Sequence, residues 1–182
     1  MKKLTLLIPL FGLIQFGCEQ DNSGDNIGID NEKIDVVTHD IDATNANGFY
    51  YDLVNATEAD SSEPWHLSFQ MLPVVLGNAT YMMPSLVLSS VLVAEYTDVT
   101  FDDMDSTPTT FMEDYFQDPT VVQYGGSNEV LSYDMQIHRV SVKDPNRVFV
   151  IHESVGNTTY KVQFVEYVSG VISFSFSKFE NE

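Results

Sequence analysis

Cysteine and positively charged residues are scarce in this sequence, and each shortage excludes a class of protein. A single cysteine among 182 residues cannot form a disulfide within the chain, so stability must come from packing. Eight Lys and Arg residues stand against 27 Asp and Glu residues, and a formal net charge of −19 repels nucleic acid. The G-x-S-x-G and H-E-x-x-H motifs of common hydrolases are absent, as is any Cys/His pattern for zinc. A hydrolase triad assembled from distant residues remains one alternative.

The N-terminus has the pattern of a secretory signal peptide. Two lysines precede an apolar run over residues 4–16, which is too short for a stable membrane span. Gly17-Cys18 follows and predicts cleavage with lipid attachment to Cys18, although Gln15 departs from the usual small or aliphatic residue. An ordinary secreted protein cleaved nearby is the alternative. We expect a signal peptide at 1–17, a lipidated flexible tether at 18–32 and one β domain at 33–182.

Strand signals are dense in the domain and helix signals are few. Gly, Pro, Asn and Asp punctuate segments rich in β-branched and aromatic residues, and Pro73 and Pro84 indicate strands that are edges or end there. The pattern predicts an all-β fold, an antiparallel β-sandwich with long connections. The predicted strands are 34–37, 48–54, 65–72, 85–94, 121–124, 130–133, 136–142 and three more at the C-terminus.

The C-terminal strands carry the clearest pattern. Ile172, Phe174 and Phe176 alternate with serines, which predicts a strand with one apolar face and one polar face. Ser169-Gly170 predicts a two-residue hairpin turn that needs a positive φ, and residues 155–157 mark the turn before it. The pattern by itself predicts a meander over a core and no function.

The residues of these strands resemble the HmuY family of haem-binding lipoproteins. The resemblance is carried by R-V-F-V-I at 147–151, K-V-Q-F at 161–164 and G-V-I-S-F at 170–174. It is fair at F-Y-Y-D-L (49–53) and P-W-H-L-S-F (64–69), where His66 replaces the family's usual Asp. It runs over about residues 41–179 and is poor between 97 and 129.

The resemblance implies a fold with finger-like loops that close on haem, and a binding protein that is not an enzyme. Such a hemophore-like protein would sit on the outer membrane at the cell surface, held by its lipid anchor. It would take haem from the surroundings or from host-type haemoproteins and pass it to an outer-membrane haem transporter. The alternative is a surface binding or adhesion module on the same β fold that does not bind haem.

The family binds haem iron through two axial His or Met side chains. Leu-Ser-Tyr-Asp-Met at 131–135 fits the family's context for the second ligand, with eleven residues between Met135 and Arg147, so Met135 is the first candidate. His138 is its rival, although on an extended strand it would point to the opposite face. The other ligand is expected in the poorly matching middle, at Met112 or else Met104. Phe111 and Tyr115 could flank the porphyrin.

Two methionine ligands would favour reduced haem, because thioether sulfur is a soft ligand that raises the iron's reduction potential. Arg139, Lys143 and Arg147 are candidate partners for the haem propionates, which could instead face solvent.

Four aspartates lie near Met104 in the sequence, at positions 98, 102, 103 and 105. A calcium site is one interpretation, but the glycine and the terminal Glu of an EF-hand loop are missing. A solvated acidic loop is the simpler interpretation.

Overall fold

The structure is a computed structural model, which describes residues 32–41, 48–76, 78–89, 91–108 and 130–180. Strands are the only regular elements in these ranges, and no helix there is long and apolar enough to cross a membrane. In chain order the strands are β1 (Ile34–Val37), β2 (Phe49–Asp52), β3 (Thr57–Ala59), β4 (Leu67–Leu76), β5 (Ala79–Leu88), β6 (Val91–Tyr96), β7 (Leu131–Asp134), β8 (Arg139–Val142), β9 (Val148–Glu153), β10 (Thr158–Val168) and β11 (Val171–Lys178).

Three antiparallel sheets contain the described strands. The largest has the order β1-β11-β10-β9-β6, the second has the order β3-β2-β4-β5, and β7 pairs with β8 alone. Every described pairing is antiparallel. The prediction of an all-β chain built from antiparallel sheets is therefore confirmed for the part of the chain that the structure describes.

Aromatic rings hold the two larger sheets face to face. Tyr51 of β2 contacts the rings of Phe174 and Phe176 of β11 edge-on, with centroids 5.5 and 5.7 Å apart. Phe69 of β4 contacts Phe164 of β10 at 5.9 Å. The apolar face predicted from the alternation along β11 is the face that packs here, since all three rings from β10 and β11 are fully buried.

The opposite face of the larger sheet carries a second, smaller core. Along β9, Phe149 and Ile151 face the main core. Val148 and Val150 face the other way and pack with Phe101 and Met104 of the loop that follows β6, residues 97–108. This alternation explains why β9 is buried on both sides. Lys161 connects the loop to the sheet: its Nζ donates to the carbonyl oxygens of Phe101 at 2.7 Å and Met104 at 3.1 Å, and lies 4.8 Å from the Phe101 ring centroid.

Both C-terminal turns form where they were predicted. Ser169 and Gly170 both have positive φ, at 49° and 88°, which is the conformation of a two-residue turn that follows the right-handed twist of its strands. Four residues, 154–157, connect β9 to β10, and Asn157 also has a positive φ of 51°. Pro84 behaves as predicted, because it lies in β5 at the edge of its sheet, whereas the prediction for Pro73 is wrong: β4 is an interior strand and continues past Pro73 to Leu76, although it pairs there only with β5.

Several predicted strands are wrong in extent. The strand predicted at 65–72 begins at Leu67 and continues to Leu76. The segment 85–94 is divided between β5 and β6, which belong to different sheets. The chain leaves the four-stranded sheet at Ser89, whose N–H donates to the His66 carbonyl at 3.2 Å. The segment 136–142 is a strand only from Arg139, because residues 135–138 form a turn. The predicted strand at 121–124 lies outside the described residues.

Candidate functional site

The turn between β7 and β8 carries Met135 and His138. The Asp134 carboxylate accepts hydrogen bonds from the N–H groups of Gln136 at 2.7 Å and Ile137 at 3.4 Å. His138 completes the reversal with a positive φ of 53°. The extended strand predicted for this stretch is therefore wrong, because residues 135–138 form a turn in which the Asp134 side chain binds two backbone N–H groups.

The Met135 side chain is exposed to solvent. Its exposed fraction is 78%, and Ile137 on the same turn is also exposed, while the base of the hairpin packs into the main core through Val130 and Leu131. Methionine in a folded domain usually fills a core gap. The Met135 side chain fills no such gap. It lies at the tip of a hairpin whose base packs into the main core.

His138 shares the turn but is tied to a neighbour. Its Nδ1 lies 2.6 Å from the Tyr133 hydroxyl oxygen, and the two ring centroids are 6.0 Å apart. The remaining nitrogen, Nε2, is the one left for a ligand. The turn thus carries both residues predicted as alternatives for one coordination position.

Met104 lies in a different environment. Its exposed fraction is 6%, and it packs with Phe101, Val148 and Val150 in the second core. A thioether surrounded in this way could reach an iron atom only if the loop detached from the sheet. The other residues predicted for the site, Phe111, Met112 and Tyr115, lie outside the described residues, as does Cys18.

The cations predicted for haem propionates differ in availability. Arg139 is exposed at the start of β8, next to the turn that holds Met135. Arg147 is buried, with Nη1 3.4 Å from Glu95 Oε1 and its guanidinium carbon 4.9 Å from the Phe149 ring centroid. Arg147 therefore serves the packing of β6 against β9, and Arg139 is the better placed of the two for an external anion.

Metal ligands of the usual kind do not cluster in the described ranges. No three His, Cys, Asp or Glu side chains there are arranged to hold a metal ion. Asp103 near Met104 is engaged locally, since its carboxylate accepts from the Thr100 hydroxyl at 2.7 Å. His39 contacts Glu58 at 3.2 Å, and His152 contacts the Thr159 hydroxyl at 2.9 Å.

A cavity of about 520 Å³ lies beside His66, where sequence reasoning predicted no site. Four chain segments form it: the end of β2 with the turn after it, residues 63–66, Ser89, and the end of β9 with the turn between β9 and β10. Its walls include the side chains of Val54, Pro64, Trp65 and Val155, and its polar groups include Asp52, His66 and Glu153. The cavity therefore combines an apolar wall with carboxylates and an imidazole.

Two turns that border the cavity have the same design as the turn that carries Met135. Each begins with a carboxylate that accepts the N–H groups two and three residues later and ends with a residue of positive φ. We call these carboxylate-capped turns; they begin at Asp52, Asp134 and Glu153 and end at Ala56, His138 and Asn157 respectively.

Two carboxylates of the cavity, those of Asp52 and Glu153, are buried, whereas Glu63 is exposed. The exposed fractions of Asp52 and Glu153 are 5% and 7%, and Gly156 is needed beside Glu153 because a Cβ there would lie 2.8 Å from Glu153 Oε2. These carboxylates contribute to the raised pKa values of two neighbouring tyrosines. Burial, together with Asp52 and Glu153, raises the pKa of Tyr160 to about 12, and burial together with Asp52 raises the pKa of Tyr51 to about 12.

His66 is neutral in this setting. Burial lowers its pKa from 6.5, outweighing the opposite effect of Asp52 and Glu153. Its Nδ1 accepts the Leu53 N–H at 3.1 Å, and this atom also lies 3.2 Å from Asp52 Oδ1. The contact with Asp52 is therefore not an ion pair, because an imidazole whose Nδ1 lone pair accepts the Leu53 N–H is uncharged. The proton of the imidazole is then on Nε2.

The only sequence signal for this cavity was a local departure. His66 stands where the resembling family has Asp, beside the single tryptophan of the chain. That departure indicated altered hydrogen bonding and did not predict a binding site, since Glu153 is distant in sequence.

Comparison with known proteins adds no assignment. No protein-family model matches this chain, and no curated protein matches it significantly. The resemblance to the HmuY family therefore rests on the quoted residues alone.

Proposed function

We propose that this chain is a lipid-anchored haem-binding protein of HmuY-like fold, with finger-like loops, that captures haem at the cell surface and delivers it to an outer-membrane transporter. The observation that carries the proposal is the exposed Met135 thioether on the turn between β7 and β8. It lies at the position where the resembling family has an axial ligand. Cys18 would hold the protein on the outer membrane.

The residues of the turn suit a haem group. An exposed thioether can approach iron without unfolding anything, and Ile137 offers apolar surface beside it. Arg139 is near enough in sequence to pair with a propionate, since it directly follows the turn. Met104 does not suit the role, because its side chain is part of the second core. Met112 is therefore the proposed partner of Met135, with Phe111 and Tyr115 against the porphyrin.

Thioether ligation fixes the preferred oxidation state. Sulfur donors of this kind stabilise ferrous over ferric iron, so the protein should bind haem more tightly under reducing conditions than under oxidising ones. His138 is the alternative ligand on the same turn. An imidazole there would bind ferric haem well, so the redox preference distinguishes the two.

The test is a haem titration of the apoprotein with and without dithionite, followed in the Soret region. We expect a saturable change that is stronger under reduction. Replacement of Met135 by Ala should abolish the six-coordinate low-spin bands, whereas Met82→Ala, which alters a half-exposed methionine of β5, should leave them unchanged. Unchanged spectra in the Met135 variant together with their loss in His138→Ala would transfer the ligand role to His138.

A surface binding module without haem is the second candidate. The observation that favours it is the cavity beside His66, which no methionine lines. Absence of any saturable spectral change in both oxidation states would reject the haem proposal and leave this candidate.

A further inference from the structure

We propose that the cavity beside His66 is a binding site for a small organic cation with a flat apolar ring, of the arylalkylammonium class. This inference is independent of haem binding. The cavity volume of about 520 Å³ lies within the range of small-molecule sites. Trp65, Val54 and Val155 supply an apolar wall against which a flat ring can pack.

The charge of the cavity selects a cation. Asp52 and Glu153 are both buried, and no Lys or Arg of the described residues forms an ion pair with either of them. Glu63 adds a third carboxylate to the lining. The carboxylate oxygens of Asp52 and Glu153 accept hydrogen bonds within the capped turns and keep further lone pairs for a ligand. Walls of low dielectric concentrate this negative potential inside the cavity.

His66 provides a fixed polar contact. The Nδ1 atom of His66 accepts the hydrogen bond from Leu53. The Nε2 atom has no hydrogen-bond partner among the described residues. The residue is more than nine-tenths buried and lines the cavity. Because the Leu53 N–H occupies Nδ1, Nε2 carries the proton and can donate to a hydroxyl or carbonyl oxygen of the ligand. The ligand class thus has a ring, a cationic group and room for one acceptor.

The same groups exclude other ligands. Haem would bring two propionates against three carboxylates, and nucleotides or fatty acids would bring negative charge in the same way. A bare metal ion would need more ligands than the one imidazole with its carboxylate neighbours offers in the described ranges.

The single tryptophan makes the test direct, because Trp65 lies in the cavity wall and is the only indole in the chain. The probe is 2-phenylethylamine, and the matched control is 3-phenylpropionate, which has a similar ring and chain but a carboxylate. Excitation at the red edge of the tryptophan band avoids the probe. We expect a saturable change in Trp65 emission with the amine and none with the acid, and we expect added salt to weaken the amine's binding.

Variants identify the source of the selectivity. Glu153→Gln keeps the size of the side chain and removes the charge, and it should weaken amine binding by at least about tenfold. Glu166→Gln, on the exposed part of β10, should leave it unchanged. Because Glu153 also caps a turn, Glu63→Gln is the second variant, and circular dichroism of each variant checks the fold. Equal responses to the amine and the acid, no response to either, or full affinity in both Glu153→Gln and Glu63→Gln would overturn the proposal.

Discussion

Replacement of Phe174 by Ala tests whether the two larger sheets are held together as described. The exposed fraction of this side chain is 1%, and its ring lies 5.5 Å from that of Tyr51, 6.4 Å from that of Phe69 and 6.0 Å from that of Phe164. Buried Phe→Ala substitutions cost about 3–5 kcal/mol through lost burial and the cavity left behind. Since Phe174 contacts rings of both sheets, we expect a loss of about 4 kcal/mol in the free energy of unfolding.

Urea denaturation followed by circular dichroism measures this loss, with Trp65 emission as a second probe of the same transition. Two variants calibrate the result. Phe174→Leu keeps most of the volume and should lose about 1–2 kcal/mol. Val165→Ala, at the exposed bulge of β10, should change stability by no more than about 0.5 kcal/mol. If Phe174→Ala loses less than about 1.5 kcal/mol, the ring does not join the sheets and the arrangement of the core is wrong.

Three further predictions concern the loop, the buried histidine and the anchor. Lys161→Met removes two hydrogen bonds to the 97–108 loop and should cost about 2 kcal/mol, with faster amide exchange in that loop but unchanged exchange in β10. The folded state keeps His66 neutral below about pH 6.5, where the unfolded chain protonates it, so the unfolded state binds more protons and the free energy of unfolding falls on acidification. Urea titrations at about pH 7.5 and about pH 5 should show a smaller fall for His66→Gln than for the unchanged protein. An equal fall in both proteins would contradict the neutral state of His66. Cys18→Ser should move the protein from the membrane fraction to the soluble fraction in its native host, and retention in the membrane would reject lipidation.

Local patterns were enough to predict the C-terminal strands. In β11 the burial of Phe174 and Phe176 follows from simple alternation, and the turn at Ser169-Gly170 follows from the need for positive φ. Both signals reside in neighbouring residues, so the rest of the molecule is not needed to interpret them.

Other elements depend on contacts distant in sequence. The division between β5 and β6 was missed because residues 67–94 contain no charge and no strong turn signal near Ser89, so one continuous apolar strand was the simplest prediction. The strand β3 is short and mostly exposed, and it exists because β2 pairs with it through Tyr50 and Tyr51. Neither feature has a local pattern of its own.

The candidate sites differ in the same way. Met135 was identifiable because its sequence context resembles a family pattern, whereas its exposure depends on the turn that Asp134 caps. The cavity beside His66 was not identifiable, because it exists only when the turns beginning at Asp52 and Glu153 meet across two sheets. Sequence order gives no indication that residues about 100 positions apart share one wall.

The carboxylate-capped turns connect the acidity of the chain to its candidate sites. Each cap keeps an ionised side chain at a fixed place because backbone N–H groups bind it, so the charge is part of the turn's structure. At Asp134 the cap orients the turn that carries the exposed Met135 side chain, the proposed ligand. At Asp52 and Glu153 the caps themselves supply the negative potential of a cavity. The same kind of turn therefore occurs at both candidate sites, and what differs between them is the burial of the capping carboxylate: Asp134 is exposed, whereas Asp52 and Glu153 are buried.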